Sequence, residues 1–372
     1  MKYCPIHVGL VIHGPEIIDS GRIFGLVRIL REIGYLHALI GGTMARVAAK
    51  GSSIKDFVDI SKKMKTSDAL NHLSNLDVLI LANCGKTNIT GEVFGQIVVS
   101  KVNKSVIQAE RPGSRDGRII LWEGAEDHNV KTVHDVAACL SDKLGLEYIV
   151  KLKKEIKIEE EGSLALRHLH GAKVGENVLI SGIVVGKVVN ENVVIVSNNG
   201  RLVDIRGVKI KQHGYDKIGN IDLKAMYIKS GALRRGKNNN FSKMNVTQKR
   251  LERGKVVFID HSADSVLEAI DSETICVITI GDDTTNICRD ILSGFGIPVI
   301  GITDGDIDGI YHGLSGTRDS VVLQVSGTSD DAVGIALQNN GLFNAQEHTF
   351  EEIKNIIFDF LKERKIMFQI KD

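Results

Sequence analysis

The chain is expected to fold as an α/β protein in three parts: an N-terminal domain on a parallel sheet, a central β-rich module and a C-terminal α/β domain. From residue 6 to about 145, short apolar runs alternate with amphipathic stretches, and such alternation means strands joined by helical crossovers. Between 146 and 235 the helical spacing stops, and Val- and Ile-rich runs are broken by Gly and Asn. From 256 the strand-helix alternation resumes. These changes of pattern set the boundaries at 1–145, 146–235, a basic linker at 236–255, and 256–372.

In the first part, IHVGLVIHG, HALIGG, DVLILANCG, SVIQAE and RIILWEG read as strands, each a short apolar run closed by Gly or an acid. Helices fit at GRIFGLVRILREIG, SDALNHLSN, GEVFGQIVVSKV and VHDVAACLSDKLG. Ile23, Leu26, Val27 and Leu30 recur at three- and four-residue steps, so they should face the sheet. This succession predicts a Rossmann-like domain. The second part opens with a charged connection, KLKKEIKIEEEGSLALRHLHG. ENVLISGIVVGKVVNENVVIVSNNGRLVDIRGVKIKQHG then places turns at SG, NEN and NNG, the pattern of hairpins in a small sheet or barrel. In the last part VVFI, ICVITI and IPVIGI are strands, ADSVLEAI is a helix, and TFEEIKNIIFDFLKERK closes the chain as a helix with Thr349 and Glu352 as its capping box.

Composition bounds the function. A chain of 372 residues exceeds the usual single core. Hydrophobic content of 43% and charged content of 25% are those of a globular protein. No apolar run reaches the length of a membrane span, and the N-terminus enters a strand directly, so no membrane partner is expected. Five cysteines are scattered without a CxxC pair. They read as thiols in a reducing compartment, which predicts a cytoplasmic location. His168, His170 and His213 have no Cys partners at zinc spacing, and Trp122 reads as a core or rim aromatic. Net charge is only +1, yet residues 229–255 carry nine basic side chains against Glu252 alone. Arg234, Arg235, Lys237, Lys249, Arg250 and Arg253 in this run are candidates for gripping nucleic-acid phosphates. The plain alternative is a solvated connection.

Chemistry is concentrated at the strand ends of the last part. Asp260 follows VVFI, Asp282 and Asp283 follow ICVITIG, and Asp304, Asp306 and Asp308 follow IPVIGIT. In a parallel sheet such ends share one edge, and crowded carboxylates there repel unless a cation sits among them. Magnesium takes oxygen ligands, so Asp304, Asp306, Asp308 and Asp282 are candidate ligands, and Asp260 is a candidate proton-transfer group. Thr284 and Thr285 then open a helix whose N–H groups favour an anion. The order strand-acid-helix, strand-Gly-polar-ThrThr-helix, strand-Asp-Gly-Asp resembles the Toprim domain of topoisomerases and bacterial-type primases. The resemblance implies that Asp260 takes the place of an acid-base glutamate and that Asp304 and Asp306 hold magnesium. Aspartate at 260 departs from the family pattern by one methylene, which bears on catalysis more than on metal binding. On VIHGPEIIDSG, GGTMARVA and ITDGDIDG, the whole chain also resembles an archaeal family of unknown function found in methanogens.

Two rival readings of the acids are weaker. As a calcium loop, Asp304-x-Asp306-x-Asp308 would need a carboxylate where Ser315 stands. As the phosphate edge of a phosphofructokinase-type kinase, the Gly-Gly-Asp-Gly loop is broken by Asp282, Asp283 and Thr284. A polar loop edge without metal is the bland alternative. In the first part, Gly41, Gly42 and Thr43, and then Lys86 and Thr87, follow strands and offer a phosphate cradle, with Arg46 or Arg111 able to add charge. Ile80 stands where a Walker-type loop needs its leading Gly, so ATP binding of that kind is not expected. His13, Glu16 and Asp19 follow the first strand as softer candidates. The function expected is magnesium-dependent action on phosphodiester or phosphate groups, with nucleic acids as the expected substrates. The alternatives are a nucleotide- or phosphometabolite-binding regulatory protein and a small-molecule phosphotransferase.

Overall fold

The computed structural model describes residues 6–50, 52–124, 130–153, 157–231, 251–260, 263–293, 295–305, 319–341, 343 and 347–371. The chain divides into two units, Met1–Gly236 and Lys237–Asp372. In the first, the run IHVGLVIH is buried from Val8 to Ile12, the signature of a strand covered on both faces. It forms β1 (Ile6–His13), between β2 (Gly34–Gly41) and β4 (Val78–Asn83). Outside β2 lies β3 (Asp59–Met64), and beyond β4 lie β5 (Val106–Glu110), β6 (Arg118–Glu123) and β7 (Glu147–Leu152). The order is β3-β2-β1-β4-β5-β6-β7, parallel except for the β5–β6 pair. The mostly parallel sheet expected from the sequence is present.

Helices cover both faces. α1 (Glu16–Asp19), α2 (Arg22–Ile33), α3 (Thr43–Lys50) and α6 (Val130–Leu144) share one core with the sheet. α4 (Thr66–His72) and α5 (Asn88–Val99) pack on the other face. Ile23, Leu26, Val27 and Leu30 of α2 are buried as their spacing requires, each contributing roughly 1.5–3 kcal/mol.

The central module has two four-stranded antiparallel sheets in place of one closed barrel. β8 (Glu159–Glu161), β9 (Leu164–Leu169), β12 (Val193–Asn198) and β13 (Arg201–Arg206) form the order β13-β12-β9-β8. β10 (Asn177–Ile180), β11 (Ile183–Val188), β14 (Val208–Ile210) and β15 (Ile228–Ser230) form β14-β11-β10-β15, with α7 (Gln212–Ile218) after β14. Inward Val178, Ile180, Val185, Val193, Ile195 and Ile205 share one core. Two of the three expected turns close hairpins: Ser181-Gly182 and Asn199-Gly200 all have positive φ, the geometry such two-residue turns need. The NEN turn carries the chain from one sheet to the other.

In the second unit β16 (Lys255–Asp260), β17 (Thr274–Ile280), β18 (Val299–Thr303) and β19 (Val321–Ser326) lie parallel and in sequence order. β20 (Met367–Lys371) adds an antiparallel edge beyond the expected last helix. α8 (Val266–Ala269) follows β16, and α9 (Asp282–Ser293) packs on β17 and β18. On the core of β17–β19, α10 (Asp330–Asn339) packs Val333 and Leu337, and α11 (Phe350–Glu363) packs Ile353, Ile357 and Phe360. The capping box of Thr349 and Glu352 is formed. Among the described residues, no helix is long and apolar enough to cross a membrane.

Candidate metal centre

Because β17, β18 and β19 are parallel, their C-terminal ends open on one edge. Each exit delivers one acid. Gly281 turns at φ +101 after β17 and α9 starts at Asp282. Asp304 follows β18 directly. After β19, Ser329 caps α10 by accepting from the Ala332 N–H, and Asp330 is the first helical residue. One carboxylate oxygen from each of Asp282, Asp304 and Asp330 lies within 4.8 Å of the other two.

Charges this close, if all ionised, repel by on the order of 3 kcal/mol per pair at an effective dielectric of about 20. Three pairs rival the whole stability of a domain, about 5–15 kcal/mol, so full ionisation calls for a counter-charge. Part of it is local. Asp282 Oδ2 accepts from the Gly305 N–H at 2.9 Å and Asp330 Oδ1 from the Asp331 N–H at 2.8 Å. Both acids also sit in the first turn of a helix, where the dipole favours negative charge. Asp304 has no such help: its Oδ1 is shielded from solvent and has no hydrogen-bond partner among the described residues. A shielded acceptor beside two further carboxylates, all hard oxygen donors, fits a divalent cation of the magnesium type.

This edge lies inside the stretch, residues 10–346, that matches a family described as an uncharacterized protein conserved in archaea (DUF2117). The chain belongs to that family. A relative, the uncharacterized protein MJ0065 of Methanocaldococcus jannaschii, is 42% identical over 360 residues, covering 95% of this chain and 97% of the relative. No solved structure matches the chain. The archaeal family expected from the sequence is thus the one found.

The structure brings together two of the expected ligands, Asp282 and Asp304, and adds Asp330. Asp306 and Asp308 lie outside the described residues. Asp260 ends β16 in register with Ile280, on the same edge, but is exposed and outside the three-acid cluster. Thr284 and Thr285 are inside α9, because the helix starts two residues earlier than expected, and both are buried. Thr285 meets the Thr279 hydroxyl at 2.8 Å, and a Cβ on Gly301 would come within 2.2 Å of it, so its side chain serves helix-sheet packing. Arg253 pairs with Glu352 at 3.1 Å and donates to the Glu347 carbonyl. Arg234, Arg235, Lys237, Lys249 and Arg250 lie outside the described residues.

The N-terminal candidates are held by their own fold. Lys86 pairs with Glu176 at 2.5 Å and donates to the Gly171 carbonyl. Thr87 caps α5 in a capping box with Thr90. Gly41 ends β2 against Thr66, Gly42 turns at φ +90, and Thr43 opens α3, buried. His13 Nδ1 lies 3.1 Å from the Gly41 carbonyl and 2.9 Å from the Thr66 hydroxyl, with the ring stacked on Phe94. Burial lowers its pKa to about 4. Sequence reasoning missed Glu110, fully buried at the end of β5. It accepts from the Gly85 N–H at 2.6 Å, from Asn83 and from Gln108, while burial raises its pKa. Gly85 N–H is therefore engaged from below rather than offered to a phosphate. Asp330 was also missed, although SGTSDDAV repeats the pattern of a strand end, a cap and an acid.

Proposed function

We propose that this protein holds magnesium on Asp282, Asp304 and Asp330 and acts with it on phosphodiester or phosphate groups, in a Toprim-like C-terminal domain that accompanies a Rossmann-like N-terminal one. The observation that carries this reading is the approach of the three carboxylates to within 4.8 Å at consecutive strand ends. Bound there, magnesium would polarise phosphoryl oxygens and offset charge developing in the transition state. Asp260, at the exit of the adjacent strand, is the chain's own candidate for moving a proton. The basic run 229–255 supports nucleic acid as the substrate class, with affinity falling steeply as salt rises.

The test is calorimetric titration with Mg²⁺ and Mn²⁺, together with metal-dependent cleavage of single- and double-stranded nucleic acid. Asp304→Asn should lose metal binding and metal-dependent activity while its circular dichroism stays that of the parent. Full binding and activity in Asp304→Asn would sink the proposal. A second reading, a cation- and nucleotide-binding regulator without catalysis, draws on the exposure of Asp260 and its place outside the three-acid cluster. Metal binding without turnover of any nucleic acid or of labelled ATP would favour it.

A further inference from the structure

The first unit carries a second candidate site, made from groups that the carboxylate edge does not use. The chain leaves β1 toward β2 by way of α1 and α2 on one face, and leaves β4 toward β5 by way of α5 on the opposite face. The two exits part between the ends of β1 and β4, and in open α/β sheets this point of divergence is where a crevice takes ligands. Arg22, the first residue of α2, reaches across it. Its Nη1 lies 3.5 Å from the thiol of Cys84, just past β4. Its stem lies along the turn after β5, where a Cβ on Gly113 would come within 3.5 Å of Arg22 Cγ.

A guanidinium is a permanent charge with five donors. This one is half-buried, and among the described residues the Cys84 thiol is its one hydrogen-bond acceptor and no carboxylate pairs with it. Its basic neighbours are occupied: Arg111 by Asp116 and the carbonyls of Gly85 and Lys86, Lys86 by Glu176. The position is also poor for a cation. α2 has no acid in its first turn and no side-chain cap on its Gly21 start, so Arg22 sits at the positive end of an uncapped helix. Ser114, next to Gly113, keeps a shielded hydroxyl without a partner among the described residues. A permanent charge with no carboxylate partner among the described residues, at a sheet's point of divergence, is placed to meet an anion that arrives from outside.

We propose that the β1/β4 crevice binds a phosphate-bearing small molecule, with Arg22 forming the ion pair and the uncapped start of α2 supplying N–H donors. The site stands independently of the carboxylate edge. It is tested with inorganic pyrophosphate in excess EDTA, which removes any cation from that edge, by thermal unfolding read at Trp122. Pyrophosphate should raise the midpoint of the parent and of Arg115→Ala, an exposed arginine in the same turn, but not that of Arg22→Ala. Calorimetry should show at least a ten-fold loss of affinity in Arg22→Ala alone, and without ligand this variant should melt no lower than the parent. No shift in the parent, an equal shift in Arg22→Ala, or equal losses in both variants overturns the proposal. So does an Arg22→Ala protein that melts several degrees lower without ligand, which would make the residue structural.

Discussion

His13 shows how a single side chain can set the acid limit of the first unit. Its folded pKa of about 4 lies below the ordinary value of 6.5 because burial disfavours the imidazolium. As pH falls below about 6.5 the unfolded chain takes the proton first, so stability present above that value drains away down to about pH 4. The loss amounts to about 3 kcal/mol at most. His13→Gln should flatten urea stability between pH 6.5 and 4; an unchanged slope would show that other groups titrate there. Glu110 works in the opposite sense, since burial raises its pKa and its cost grows as pH rises past the ordinary carboxylate value. At this scale the sequence was partly legible. Asp282 and Asp304 stood out as acids ending apolar runs, whereas the partner of Lys86 is Glu176, 90 residues away, and no local pattern carries such a pairing. Nothing in the sequence distinguishes Arg22 from the other polar positions of its amphipathic helix.

Elements were legible in proportion to their burial. β1 and β4, covered on both faces, are continuous apolar runs. β3, β7 and β20 are sheet edges, and DISKKM, EYIVKL and MFQIK keep much of their length in solvent. Edge strands need no apolar run and often carry lysine, which discourages pairing with other chains. Asp330 was hidden for a related reason, because three residues separate it from β19 and only the turn they make, from Gly327 to Ser329, brings it to the strand ends. Helix α5 depends on glycines that no periodicity explains. A Cβ on Gly91 would fall 2.1 Å from Glu110 and one on Gly95 1.8 Å from Gln108. Gly91→Ala should therefore destabilise the first unit by at least about 2 kcal/mol, through overpacking against a buried carboxylate. Chemical denaturation measures it, and a loss under about 0.5 kcal/mol would contradict the close packing.

At the scale of the molecule, the division at Gly236 predicts that ligand effects will separate by unit. The three carboxylates belong to the second unit, so Mg²⁺ at one hundred times its dissociation constant should stabilise that unit by about 2.7 kcal/mol and leave the first unaffected. Differential scanning calorimetry should show one transition moving with Mg²⁺ and one standing still; two transitions that move together would refute the separation. The chain has a single tryptophan, and Trp122 lies in β6, 2% exposed, with its indole N–H donated to Gln108 at 2.9 Å. Gln108 donates in turn to Glu110, which holds Gly85. Nature has thus wired one fluorophore through two buried side chains to the loop that bears Lys86. Light excited at the red edge of indole absorption hears only this half of the polypeptide, so unlabelled protein can report which half a ligand has touched.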